Sequence, residues 1–363
     1  MIIKEIMDIL EHWAPLAYQE SYDNGGLLIG NPSTEVSSAL ITLDCTEEVI
    51  QEAIDKKCQL VIAHHPIIFT GLKKLTGKNY VERTIIKAIK NDIVIYAIHT
   101  NLDNVSSGVN HKMGEKLGLK NSRVLSPKKN ILKKLVTYIP SDHYESVRMA
   151  IFEAGAGHTG NYSHCGFSVS GFGSFKGNEH ANPTLGNTNE LIRVEEQRFE
   201  TIFPDYLEAK IIRSLKESHP YEEVAYDIYT IDNEHTQVGS GLIGELENEM
   251  ELSDFLNLVK SQFHLKSLKY TSLNRKVRKI ALCGGSGSFL RFQAAESGAD
   301  VYLSSDFKYH EWFDAEGNLS YVDIGHHESE QFTKELIFNY LRKKALSLQS
   351  EISKVNTNPV NYL

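Results

Sequence analysis

Apolar residues near the start of the chain recur at helical spacing, with Ile2, Ile3, Ile6, Ile9, Leu10 and Trp13 on one face, and Pro15 closes the run. The pattern then changes period. Ala39 to Asp44 is a short apolar strand, Thr46 is placed to cap the helix that follows, and Leu60 to Ala63 reads as a second buried strand. A helix over about 81–90 leads to a third apolar run, Ile93 to Ile98, so this part reads βαβαβ and predicts a parallel sheet covered on both faces. The same texture returns later. Lys279 to Cys283 is a strand, a glycine turn and a helix through Ala294 and Ala295 follow, and Val301 to Leu303 is the next strand.

Between these stretches the order differs. Leu135 to Ile139 is a strand and Asp142 to Ala154 a helix; strands near Phe167–Val169 and Arg198–Ile202 come next, then a helix from Asp205 to Ser218 and a strand from Val224 to Thr230. That order is βαββαβ, the ferredoxin-like arrangement. Gly155, Gly157, Gly160, Gly166, Gly171, Gly173 and Gly177 cluster in its first half, which predicts flexible loops around a hairpin. The expected architecture is α/β: a two-lobed core with mixed and parallel sheets, built from residues 1–125 and 236–345. A ferredoxin-like insert spans 126–235, and the polar tail, 346–363, is expected to fray.

Composition narrows the function classes. A hydrophobic content of 41% with 23% charged residues is ordinary globular usage. The formal charge of −9, from 38 basic and 47 acidic residues, gives no footprint for sequence-independent nucleic-acid binding. The opening apolar run carries acidic residues and no small-residue cleavage site, and no stretch approaches a membrane span, so a soluble cytoplasmic protein is expected. Cys45, Cys58, Cys165 and Cys283 form no C-x-x-C pair, which excludes thiolate zinc sites and leaves imidazole and carboxylate as metal donors.

Candidate chemistry sits where apolar strands end. His64 and His65 follow the second strand, at the carboxyl edge where α/β folds place ligand sites. Adjacent side chains diverge, so the pair suits two neighbouring ions better than one, and a structural role competes. Asp103 follows the third strand as a candidate ligand, with His99 either orienting a ligand or simply satisfied near the core. His326 and Glu330 are four apart, so a helix starting by His326 aims both at one ion, unless this is a solvated helix face. Gly284 to Ser288 is either a phosphate cradle or a tight turn that needs glycine. Asp306 and His310, also spaced by four after a strand, are candidates for proton transfer or for orienting other groups. Tyr22 to Gly30 reads as a turn and a strand that demand no chemistry.

Taken together, Tyr22-Asp23-Asn24-Gly25-Gly26-Leu27, His64-His65-Pro66, Thr100-Asn101-Leu102-Asp103, Gly284-Gly285-Ser286-Gly287 and Gly325-His326 with Glu330 resemble the NGG-one-interacting-factor-three-like family, often described as type 2 homologs of GTP cyclohydrolase I. The resemblance covers both flanks. It implies two divalent ions per chain on His64, His65, Asp103, His326 and Glu330, and imidazole and carboxylate donors accept zinc, iron or manganese. One departure is Ser304-Ser305-Asp306 where many members have Thr-Gly-Asp, which alters the turn presenting Asp306. The insert, with His219-Pro220-Tyr221-Glu222-Glu223, resembles the CutA and PII-like domain of longer members, and implies a homohexamer with trimerising inserts. The expected function is metal-dependent hydrolysis of a small substrate, a nucleotide being one candidate, by a metal-activated water, with Asp306 or His310 assisting. The alternative is a non-catalytic metal-binding regulatory or scaffold ring whose insert senses a ligand or partner.

Overall fold

A computed structural model describes residues 1–272 and 274–363, and the chain divides into two compact units, one of residues 1–126 with 237–363 and one of residues 127–236. The larger unit holds two mixed sheets. In the first, the strands Ser38–Thr42, Leu60–Ala63 and Val94–Ala97 run parallel, joined by the helices Glu47–Asp55 and Tyr80–Lys90. Thr46 and Asn79 cap those helices by accepting from Val49 N and Glu82 N. Leu60–Ala63 and Val94–Ala97 are buried along their whole length and Ser38–Thr42 from Ala39 onward, as their largely apolar runs require when helices cover the sheet. Leu40, Val49, Ile50, Val61, Ile85 and Ile95 meet in that core.

The second sheet is built the same way around Val277–Leu282, Val301–Ser304 and Ser320–Asp323, again parallel. It is extended by two long strands that the apolar pattern does not reveal, Lys120–Lys128 and His235–Met250. Polar residues interrupt both, because they reach past the core. Within this unit the parallel strands of each sheet end in a candidate residue: Ala63 precedes His64, Ala97 lies just before His99, Ser304 just before Asp306, and Asp323 just before His326.

Two expectations are corrected here. The closing segment does not fray: Gln349–Ile352 adds a parallel strand to the first sheet beside Ser38–Thr42, and Ser353 donates to Glu52 at 2.5 Å. Its alternating exposed and half-buried residues are those of an edge strand, which composition alone reads as a tail. In the smaller unit, Gly166, Gly171 and Gly173 lie within one strand, Gly166–Phe175. Gly166 is there because a Cβ would come within 2.6 Å of the Phe199 ring. The smaller unit follows the order strand, helix, strand, strand, helix, strand; its sheet is antiparallel, with Ile192–Pro204 and Leu132–Pro140 central and Gly166–Phe175 and Tyr226–Ile231 at the edges. Among the described residues, no helix is long and apolar enough to cross a membrane.

Candidate metal centre

Both sheets of the larger unit deliver their carboxyl edges to one cavity of about 840 Å³, whose lining includes His65, His99, Asp103, Asp306, His326 and Glu330. Glu330 is the middle of the arrangement. It lies on the short helix His326–Glu330, one turn after His326, and is 3% exposed. Its Oε2 accepts from His65 Nε2 at 2.9 Å and faces His326 Nε2 at 3.2 Å, while its Oε1 lies 4.0 Å from His64 Nε2. One carboxylate therefore addresses two sets of histidines with different oxygens. Gly285, at φ +62°, makes this possible, since a Cβ there would stand 2.3 Å from Glu330 Oε1.

Three groups of donors are close enough to hold an ion: His64, Asp103 and Glu330; His65, His326 and Glu330; and His64, His65 and His99, each with donor atoms within 4.8 Å of one another. The first is the most telling. His64 Nε2 and Asp103 Oδ1 are buried, neither has a hydrogen-bond partner, and they are 3.7 Å apart. That is too far for a hydrogen bond but suits two donors around one ion, whose bond lengths of about 2.0–2.2 Å set donors roughly 3–4 Å apart. Leaving two such atoms unpaired costs free energy unless something lies between them. The donor set therefore fits divalent metal.

The other ring nitrogens are fixed from outside. His64 Nδ1 is 2.8 Å from Ile98 O, His65 Nδ1 is 2.7 Å from Asp44 Oδ1, His99 Nδ1 is 2.7 Å from Asp23 Oδ1, and His326 Nδ1 is 2.7 Å from Asp306 Oδ2. Each contact aims the remaining nitrogen of its ring into the cluster. Charge follows the same geometry. Burial holds the His64 imidazole down to about 3, so it is neutral with a free lone pair. Burial also opposes charge on His65, but Asp44 and Glu330 outweigh it and raise the ring to about 10; Asp306 and Glu330 do the same for His326, to about 11. Burial and then the Glu330 charge push Asp103 well above the usual carboxylate range. Glu330 stays well below it, because the hydrogen bonds of His326 and His65 overcome its burial.

The sequence-predicted residues divide accordingly. His64, His65, Asp103, His326 and Glu330 come together. Adjacent His64 and His65 do not diverge as expected: their rings are 4.9 Å apart, both turned to the cluster. His99 presents a nitrogen of its own to that cluster, beyond the orienting part first assigned to it. Asp306 orients His326 and accepts from the Ser286 hydroxyl. His310 is a correction. It lies exposed in a 3-10 helix, Tyr309–Ala315, against Tyr309 and Phe313, and does not line the cavity. Asp306 takes a left-handed backbone, φ 59°, which breaks the helical register that a spacing of four assumes. The Gly284–Ser288 turn is no phosphate cradle: Gly284 N, Gly285 N and Gly287 N donate to Asn110, Ser329 and Ser304. Asp23 and Asp44 were missed as partners of the histidines, although Asp23 lies inside the Tyr22–Leu27 motif and Asp44 closes the first apolar strand.

An α/β protein carrying a histidine and carboxylate cluster at the carboxyl edges of two sheets is thus defined. The Duf34/NIF3 (NGG1p interacting factor 3) family matches residues 1–359, and the chain belongs to that family. A Bacillus subtilis (strain 168) protein named GTP cyclohydrolase 1 type 2 homolog is 40% identical over 367 residues, covering 99% of this chain and 98% of its own. A protein of that name from Staphylococcus aureus (strain COL) is 36% identical and covers 100% of both chains. The crystal structure of a Bacillus cereus protein related to NIF3 superimposes with a TM-score of 0.87 at 41% identity, covering 100% of this chain and 99% of that one.

Proposed function

We propose that the chain is a metal-dependent hydrolase holding two divalent ions, zinc, iron or manganese, on His64, His65, Asp103, His326 and Glu330, with His99 as a further donor. The observation that carries the reading is the pair of buried, unpartnered atoms His64 Nε2 and Asp103 Oδ1 beside a carboxylate whose two oxygens face different histidines. Divalent ions supply Lewis acidity and lower the pKa of a water toward ~7. Glu330 spans the two donor sets, Asp44 and Asp306 hold His65 and His326 in register, and Asp306 stands at the cavity wall where it can take up a proton. The cavity admits a small molecule, within the range of about 300–1,000 Å³ usual for ligand sites, and a nucleotide is the substrate class that the relatives' name favours.

The smaller unit is proposed to be a ferredoxin-like insert, supported by its element order and its antiparallel strand order. Its edge strand Gly166–Phe175 exposes Phe167 and Phe172, an unprotected apolar edge that supports the homohexamer with trimerising inserts. The test of the hydrolase reading is turnover. Protein loaded with zinc, manganese or ferrous iron is incubated with a panel of nucleotides and followed by liquid chromatography and mass spectrometry. Hydrolysis that disappears on chelation and in Asp103→Asn is expected; a metal-replete protein that leaves the whole panel intact overturns the hydrolase reading in favour of a regulatory ring.

A further inference from the structure

The smaller unit contains a second cavity, of about 720 Å³, formed by residues of that unit alone. Its floor is the sheet face that carries Glu196, which lies between Pro140 and Gly171 on the flanking strands. Glu196 is 8% exposed, and among the described residues it has no ion pair. The two cations on that face, Lys134 and Arg198, are both taken by Glu200, and Lys176, the other cation of the lining, is exposed. A carboxylate this buried, with a neutral hydroxyl and no cation as its neighbour, keeps part of its burial cost, which an arriving cation would offset. Its seat is built for it: a Cβ at Gly173 would stand 2.0 Å from Glu196 Oε2.

Above the carboxylate stands Tyr221, whose buried hydroxyl has the Glu196 carboxylate beside it and no other polar partner among the described residues. Burial, then the Glu196 charge and the hydrogen bond to that carboxylate, push the hydroxyl up to about 12, so it remains neutral. The ring is held in place: His219 Nδ1 accepts from Tyr221 N at 3.2 Å, and His219 Nε2 is 3.0 Å from Tyr138 O. Phe175 packs edge-on against Tyr221 with ring centroids 5.8 Å apart. The roof is the 176–184 loop, tied down where Asn182 N donates to Glu222 and the Thr184 hydroxyl to Pro220 O. This arrangement gives the His219-Pro220-Tyr221 sequence a task that the metal centre leaves unexplained.

We infer that this cavity is a binding site for a small organic cation, an ammonium or guanidinium group on a short aliphatic body. The cationic group would contact the Glu196 carboxylate and the Tyr221 hydroxyl together from the cavity side, with the rings of Tyr138, Phe175 and Tyr221 around it. A buried carboxylate gives a charge-assisted hydrogen bond, aromatic walls favour a cation over a neutral group, and the volume admits a body of this size. The site does not depend on the metal centre.

The test uses the full-length protein and isothermal titration calorimetry with agmatine, 1,4-diaminobutane, and the neutral 1,4-butanediol as the isosteric control. The expected result is saturable binding of one or both cations at one per chain, none of the diol, and the same affinity after chelation of metals. Glu196→Gln keeps the shape and removes the charge, so it should weaken binding about 10- to 100-fold. Gly173→Ala displaces the carboxylate and should weaken it comparably, and Tyr221→Phe should weaken it less. Equal binding by wild type and Glu196→Gln, or no binding of either cation at millimolar concentration, overturns the inference. If Glu196→Gln does not fold, unchanged affinity in both Gly173→Ala and Tyr221→Phe overturns it.

Discussion

His65 and His326 each sit between two carboxylates and so carry protons that a metal must displace. With both rings raised to about 10 and 11, these protons are present throughout the neutral range, whereas His64, held down to about 3, has none to lose. The sign follows. Protonation stabilises the metal-free centre below the ordinary histidine value of ~6.5 and upward until pH passes the raised values, so metal binding tightens as pH rises from 6 to 9. Loading should release about two protons per chain from these rings, in addition to those lost by Asp103 and by any coordinated water. Calorimetric metal titrations in buffers of different ionisation enthalpy read this number directly. Uptake without proton release would remove His65 and His326 from the donor set.

At the scale of elements, the closing segment reaches the centre from the opposite end of the chain. After its strand Gln349–Ile352, Thr357 donates to Asp44 Oδ2 at 2.5 Å while Asp44 Oδ1 holds His65, and Asn358 and Tyr362 both donate to Glu328. Thr357→Val should therefore leave the fold intact and weaken metal binding about tenfold, the lower end of what a support one step removed from the ion costs. Competition with a fluorescent chelator measures it, with Thr46→Val as a change that weakens a helix cap and leaves the metal affinity alone. This contact was not legible in the sequence, because the segment's polar composition says nothing about a partner some three hundred residues away. The parallel strands and the histidines after them were legible, since unbroken apolar runs ending in His64 or near His99 carry their own signal. Glycines misled in the smaller unit: Gly166 and Gly173 are strand residues that yield space to Phe199 and Glu196, a demand set by tertiary contacts. His310 misled for a local reason, the left-handed turn at Asp306.

For the whole molecule, the division into two units has a direct consequence. The strands Lys120–Lys128 and His235–Met250, which lead out of and back into the larger unit, are neighbours in one sheet. A short linker in place of residues 128–232 should accordingly give a folded protein that keeps its metals, while light scattering reports a smaller assembly. A metal-free or insoluble product would make the smaller unit part of the metal-binding fold. The two-ion centre is tested most directly by the ion count. Glu330 faces both donor sets and is buried against His65 and His326, so replacing it with Gln removes the one charge common to both. Plasma mass spectrometry of metal-replete wild type should find about two divalent ions per chain, and the Glu330→Gln variant should retain less than half of that metal. A single ion per chain in the wild type, or full occupancy in Glu330→Gln, would contradict the two-ion centre.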